Sequence, residues 1–295
     1  MSSDVSIILP ARNESAGLGS LLPRLKQRYP DAEILVVNDG STDATADVCR
    51  QHGVTVISHV YSMGNGAAIK SGARNASGSV LVFMDADGQH DPDDIQGLLE
   101  MIESGYDMAI GAREPGSNAS FARRVANSIY NRLASFMTGY PILDLTSGFR
   151  AARKRHFLKI LYLLPNRFSY PTTSTMAFFR SGLSVGYLPI RAGKRTTDSK
   201  SHIRLFHDGL RFVVIILKIG ALFSPMRFFL PISAALFVTG VSYYAYTYFT
   251  WGRLTNMTAI LILSSLLTFL IGIVSEQISA LHYKDLQESH RRTQR

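Results

Sequence analysis

The 295-residue chain is 46% apolar, enough for a sizeable core and too much for a disordered polymer. Its formal charge of +9 and pI near 9.7 suit an anionic partner such as nucleic acid, acidic lipid or a phosphorylated substrate, and charge alone does not choose among them. The single cysteine, Cys49, excludes an intramolecular disulfide and a multi-cysteine metal centre and reads as a packed thiol on a helix.

Met1-Ser2-Ser3-Asp4 has no basic stretch before the first apolar run, so no cleavable signal peptide is expected and the following domain is assigned to the cytoplasm. Up to about residue 112, short apolar runs alternate with amphipathic stretches, the pattern of βαβ units around a mainly parallel sheet. The runs are Val5 to Leu9, Ile34 to Val37, Val54 to Ile57, Val80 to Met84 and Met108 to Ile110. Helices are expected to start near Ser15, Thr42, Gly64 and Pro92, the last with Asp91 as its cap. Ligands of open parallel sheets bind beyond the carboxyl ends of the strands. Arg12-Asn13-Glu14, Asn38-Asp39-Gly40-Ser41 and Asp85-Ala86-Asp87 all follow strands, so they are expected on one rim.

The third cluster is the most informative. A buried strand ends in two carboxylates one residue apart, with the small Ala86 between them and Gly88 relaxing the backbone behind. Asp85 and Asp87 are thereby able to converge on one hard cation, Mg²⁺ or Mn²⁺, with substrate phosphates completing its shell. The plainer reading of an isolated Asp-Xaa-Asp is a solvated turn; two further polar strand ends on the same rim argue against it. His90 and His202 are left out of the metal set, since a lone histidine more often serves a structural hydrogen bond.

A helical pattern from Phe121 to about Thr138 carries Arg123 and Asn127, one turn apart on one face. A polar turn, Asp144 to Arg150, then leads into another element. From Arg191 to Arg204 the chain is basic and loop-like, with Lys194, Arg195 and Lys200, and reads as a phosphate-contacting loop. Residues 205–227 form an amphipathic juxtamembrane stretch suited to an interface. Phe228 to Phe249 and Met257 to Leu281 are each long enough to span a bilayer core of about 30 Å. Pro231 is read as a first-turn proline of the first span. The joining loop carries one positive charge, Arg253, whereas Arg204, Arg211, Lys218 and Arg227 precede the hairpin and Lys284, Arg291, Arg292 and Arg295 follow it. Both ends are therefore expected in the cytoplasm, with a basic tail at 282–295.

The Asp-Gly-Ser-Xaa-Asp segment at residues 39–43 together with Asp85-Ala86-Asp87-Gly88-Gln89-His90 resembles family 2 glycosyltransferases of the GT-A (Rossmann-like) α/β fold, over residues 4–204. With the hairpin behind it, the chain is most similar to the polyprenyl-phosphate glycosyltransferases, including dolichol-phosphate mannose synthases. The resemblance implies a catalytic domain over residues 1–204 and a hairpin over 228–281. It implies that Pro10, Arg12 and Glu14 line the nucleotide pocket with Ala86, and that Asp39 holds base or ribose. Asp85, Asp87 and Gln89 would position metal and diphosphate. Arg113 would reach the donor side, Arg123 and Asn127 the acceptor phosphate, and Arg195 and Lys200 would close over the diphosphate. Where the family shows Arg-Xaa-Xaa-Gly-Xaa-Ser-Lys, this chain reads Arg195-Thr196-Thr197-Asp198-Ser199-Lys200.

The implied reaction is inverting transfer of one sugar from GDP-mannose, UDP-glucose or a UDP-N-acetylhexosamine to a polyprenyl phosphate, undecaprenyl or dolichyl, at the inner, cytoplasmic membrane face. A phosphate monoester is already anionic at neutral pH, so no strong protein base is needed. Asp144 stands where processive relatives place a catalytic base and is read here as a sugar-hydroxyl contact or a structural turn. A processive polysaccharide synthase is disfavoured because that class needs a Gln-Xaa-Xaa-Arg-Trp motif and more spans, and the one tryptophan here, Trp251, lies in the hairpin loop. A non-catalytic membrane scaffold is disfavoured by the intact aspartates. No nucleic-acid partner is expected, since positive charge follows the membrane flanks and the basic loop. Two spans leave lipid-facing surface for homo-oligomer assembly.

Overall fold

The computed structural model describes residues 4–113, 121–167, 169–191, 214, 217 and 224–293. They fall into two units, Met1–Asn131 with Pro141–Gly209, and Arg132–Tyr140 with Leu210–Arg295.

The first unit is a three-layer α/β domain. Its strands are β1 (Val5–Ala11), β2 (Glu33–Asn38), β3 (Thr55–Ser58), β4 (Val80–Phe83), β5 (Met108–Arg113), β6 (Arg150–Arg153) and β7 (Val185–Ile190). They form one sheet in the order β3-β2-β1-β4-β6-β5-β7. The first five apolar runs of the sequence are β1 to β5. In β1, β2, β4 and β5 the continuous hydrophobicity follows from burial on both faces, as in β1, where Ile7, Ile8 and Leu9 are all fully buried; β3, at the sheet edge, is only half-buried.

The helices are α1 (Ser15–Arg28), α2 (Thr45–Gln51), α3 (Asn65–Asn75), α4 (Asp94–Glu103), α5 (Phe121–Thr138), α6 (Lys154–Lys159) and α7 (Tyr170–Arg180). Leu18, Leu22 and Leu25 of α1, Cys49 of α2 and Ile95 and Leu98 of α4 pack with Ile7, Leu9 and Val36 on one face. Burial raises the Cys49 thiol to about 11, in keeping with a packed, inert cysteine. On the opposite face Gly72 of α3 sits so close to Ile8 and Val37 that a Cβ would collide with the Ile8 side chain. Phe83 there packs on Phe157 and Tyr170, with ring centroids 4.6 and 6.2 Å apart.

In this domain, α2 and β6 depart from the sequence expectation. Helix α2 begins at Thr45 rather than Thr42, because Asp43 Oδ1 accepts from the Thr45 N–H at 3.0 Å and holds residues 42–44 as a turn. The four-residue β6, which has no apolar run to announce it, inserts antiparallel between β4 and β5. The other pairings are parallel. With β2 and β4 on either side of β1, the chain reverses its direction of progress across the sheet between β1 and β4, the position where ligand crevices open in such folds.

In the second unit, α8 (Pro225–Trp251) and α9 (Asn256–Thr293) are joined by a short loop starting at Gly252. Both contain windows long and apolar enough to cross a membrane. Helix α8 starts three residues before the expected span, so Pro231 lies in its interior rather than its first turn; membrane helices tolerate this where neighbours satisfy the freed carbonyl. Helix α9 continues unbroken to Thr293, so the backbone of residues 282–293 is helical. Ser233 and Ser265 bond reciprocally, each hydroxyl donating to the other residue's carbonyl at 3.0 Å. Gly240 lies against Leu261 and Ile262, the small-residue contact that lets membrane helices approach closely. Glu276 accepts from the Met226 N–H at 3.2 Å, capping an otherwise orphan donor of α8. Arg227 donates to the Phe136 carbonyl at 2.8 Å, in the last turn of α5. Most of the juxtamembrane stretch 205–227 lies outside the described residues.

Candidate active site

Three strand-end turns meet at the carboxyl edge of β1, β2 and β4. The β1–α1 turn and the β2–α2 turn are laced together: Asn13 Oδ1 accepts from the Thr42 N–H at 2.8 Å, the Asn13 N–H donates to Ser41 Oγ at 3.0 Å, and the Glu14 N–H donates to Thr45 Oγ1 at 3.0 Å. Asn13 makes these bonds from a left-handed backbone, φ +56°, a conformation asparagine tolerates better than most residues. On the other side, Gly17 of α1 presses on the third turn; a Cβ there would run into the Ala86 carbonyl oxygen. The rim expected from the sequence is therefore one contiguous surface. Pro10 is half-buried on it and Arg12 is exposed.

Asp39 is buried, at 4% exposure. Oδ1 accepts from His59 Nδ1 at 2.7 Å and the Met63 N–H at 2.8 Å, and Oδ2 from Ser62 Oγ at 2.9 Å and the Gly64 N–H at 2.8 Å. Burial alone would raise its pKa, but these four bonds outweigh burial and hold it below the ordinary aspartate value. His59 in turn bonds Ser71 through Nε2 at 2.8 Å. Gly40, at φ +65°, comes so near this loop that a Cβ would lie 2.6 Å from the Ser62 nitrogen. Asp39 thus fastens residues 59–64 to the end of β2.

Asp85 leaves β4 half-buried, while Ala86 and Asp87 are buried. The Asp87 Oδ1 accepts from the Gln89 N–H at 3.1 Å, and Gly88 turns the chain at φ +73°. Among the described residues no group of three or more His, Cys, Asp or Glu side chains gathers as a metal cage. The Asp85 and Asp87 carboxylates and the carbonyl of the half-buried Gln89 amide offer only oxygen donors, a chemistry that fits a hard divalent ion keeping open positions for phosphate oxygens and water.

Arg113, at the end of β5, donates from Nε and Nη2 to the two oxygens of Asp144, at 2.8 and 3.0 Å, and from Nη2 to Thr146 Oγ1 at 2.6 Å. Burial would lower the arginine's pKa and raise the aspartate's, yet the fork-to-fork pair reverses both directions. Asp144 also accepts from the Thr146 and Ser147 N–H groups at 3.1 Å. With the Arg113 pair, these bonds close the 144–147 turn on its own carboxylate.

Asn127 is half-buried on α5. The side chain of Arg123, and the whole of Arg195 and Lys200, lie outside the described residues. Asn131, one turn after Asn127, receives the Leu145 N–H at 3.1 Å and so ties α5 to the 143–145 turn.

Sequence reasoning missed the residues behind the rim. Arg150 is fully buried; Nη1 donates to Ser174 Oγ at 2.7 Å and the Pro171 carbonyl at 3.1 Å, Nη2 to the Ser147 carbonyl, and the guanidinium lies 5.5 Å from the Tyr170 ring centre. Nothing short of the fold marks Gly17, Gly148, His59 or Tyr170, since each acts through a partner distant in sequence.

A model of glycosyl transferase family 2 matches residues 6–161, and a model of the GtrB C-terminal hairpin matches residues 224–281. The polyprenol monophosphomannose synthase of Mycolicibacterium smegmatis is 34% identical over 207 residues, covering 64% of this chain and 77% of that protein. The undecaprenyl-phosphate 4-deoxy-4-formamido-L-arabinose transferase of Photorhabdus laumondii subsp. laumondii is 26% identical, covering 80% and 73%. In three dimensions, glucosyl-3-phosphoglycerate synthase of Mycobacterium tuberculosis, solved with Mn²⁺, UDP-glucose and phosphoglyceric acid, aligns with a TM-score of 0.60 at 20% identity, over 73% of this chain and 79% of that one, a likeness of fold. The mixed sheet is thus that of the GT-A fold, and the chain belongs to glycosyl transferase family 2, with a GtrB-type membrane-associating hairpin behind its α/β domain.

Proposed function

We propose that this protein transfers a single sugar, with inversion, from a nucleotide-diphosphate sugar to a polyprenyl phosphate at the cytoplasmic face of a membrane it spans twice. The observation that carries the reading is the Asp85-Ala86-Asp87 turn, half-buried to buried, at the end of β4 where the strand order reverses beside β1. The names of the two relatives join a sugar to a polyprenol or undecaprenyl phosphate, and the hairpin supports a lipid acceptor.

A bound Mg²⁺ or Mn²⁺ would neutralise charge building on the leaving diphosphate. Asp85, Asp87 and Gln89 would hold that ion. Pro10, Arg12 and Glu14 would form the near wall of the nucleotide pocket, and Asp39 would hold base or ribose where the 59–64 loop closes on it. Arg123 and Asn127 would receive the acceptor phosphate, Arg113 would stand over the donor in the grip of Asp144, and Arg195 and Lys200 would cover the diphosphate. An acceptor phosphate is ionised at neutral pH, so these residues align and screen charge rather than remove a proton. Expulsion of the nucleoside diphosphate from the face opposite the attacking phosphate oxygen gives inversion.

The test incubates purified protein with Mg²⁺ or Mn²⁺, undecaprenyl phosphate and, separately, GDP-mannose, UDP-glucose and UDP-N-acetylglucosamine, with lipid products identified by mass spectrometry. One donor is expected to give a polyprenyl-phosphate sugar, lost in excess EDTA. Full activity in EDTA removes the metal, and no glycolipid from any donor leaves a membrane scaffold with this fold.

A further inference from the structure

The turn Ser147-Gly148-Phe149 lies directly behind the aspartate turn. A Cβ on Gly148 would sit 2.9 Å from Asp85 Oδ2 and 3.3 Å from Oδ1, so the Gly148 backbone is the surface against which that carboxylate rests. The turn is itself pinned from below at consecutive carbonyls, by Arg150 Nη2 on Ser147 and by Tyr170 Oη on Gly148 at 2.8 Å. Beside it the Phe149 ring stacks on His90, centroids 5.0 Å apart and 15° from parallel, which couples the far end of the aspartate turn to the same element. Tyr170 and Arg150 are fully buried, and Arg150 is anchored in turn on Ser174 of α7.

We propose that the Ser147-Gly148-Phe149 turn is the positioning element of the Asp85-Ala86-Asp87 site: Gly148 sets where the Asp85 carboxylate stands, and Tyr170 and Arg150 hold Gly148 in place. This rests on the proposed metal-binding role of Asp85. Gly148 does not occupy the left-handed backbone region, so alanine fits its backbone, and the nearest atoms the added methyl meets are those at the end of the Asp85 side chain. That carboxylate must then move, while the fold stays intact. Supporting groups of this kind alter metal affinity by about 10- to 100-fold when removed.

The test measures Mn²⁺ binding to the full-length protein in detergent by electron paramagnetic resonance, with UDP and in parallel with GDP, alongside thermal unfolding. Gly148→Ala is expected to weaken Mn²⁺ at least about tenfold with the melting temperature retained. Tyr170→Phe, which removes one pin, is expected to weaken it about threefold. The double variant Asp85→Ala with Gly148→Ala is expected to bind Mn²⁺ no worse than Asp85→Ala alone, because Gly148 acts through Asp85. Unchanged Mn²⁺ affinity in Gly148→Ala, or additive losses in the double variant, overturn the proposal. A wild-type protein that binds no Mn²⁺ with either nucleotide instead overturns the metal role on which it rests.

Discussion

Two acidic strand ends on one rim are held by different surroundings. At the end of β2, both Asp39 oxygens are occupied by this chain's own donors, two side chains and two backbone N–H groups. At the end of β4, Asp85 stands half-buried against the bare backbone of Gly148. One carboxylate holds a loop in place; the other is kept in place by a loop. The contrast teaches that a motif carboxylate's surroundings, and not the motif itself, fix how it is held.

The largest expected difference follows from substituting the two ends. Asp85→Ala should reduce sugar transfer by about a thousandfold or more with little change in melting temperature. Asp39→Asn should cost about 2–3 kcal/mol of stability, because in either orientation the new NH₂ group faces a backbone N–H that needs an acceptor, that of Gly64 or of Met63, and lower the melting temperature by about 5–10 °C. Activity assays and thermal unfolding of both variants check this; a stable, inactive Asp39→Asn protein would break the comparison.

A third carboxylate, Asp107, sharpens it away from the rim. It accepts from the Ser184 N–H and hydroxyl, both at 3.0 Å, and lies 3.3 Å from His156 Nε2. Burial works against ionisation, but His156 and Ser184 prevail and hold its pKa at about 2. A depressed carboxylate pKa stabilises the fold above the unfolded value near 4 and loses that contribution as pH falls through the folded value. The expected contribution is about 2 kcal/mol. Asp107→Asn should therefore be less stable than wild type at pH 7, with the gap closing between pH 4 and 2 in denaturation measured across that range; a gap independent of pH would refute the assignment.

The smallest effect belongs to the hairpin. Ser233→Ala removes one half of the reciprocal serine pair and should destabilise by about 0.6 kcal/mol, a shift of a degree or two in detergent unfolding. A loss as large as that of Asp39→Asn would mean that the hairpin stores far more of its stability in polar contacts than membrane helices generally do.

Much of this molecule is legible in its sequence where the signal is local. Strands β1 to β5, the extent of α5 and both apolar helices follow from runs and periodicities that burial imposes on neighbouring residues. The three polar clusters on one rim follow from βαβ topology, which puts strand C-termini on one edge. Strand β6 was not legible: Arg150–Arg153 carries two alanines between arginines, and its strand identity comes from β4 and β5 on either side. Pro231 was misplaced because helix start signals are weak where apolar residues continue past the cap.

What the sequence determined by itself is the kind of molecule: an α/β domain with a carboxylate pair at a strand end and a two-helix apolar hairpin, since composition, period and motif spacing depend only on residues close in the chain. What only the tertiary structure decided is how each polar group is used. Asp39 meets His59 across 20 residues, Arg113 meets Asp144 across 31, and Gly148 meets Asp85 from a separate turn. Hydropathy tells that a residue is buried; which partner satisfies its charge depends on contacts that exist only once the strands have paired.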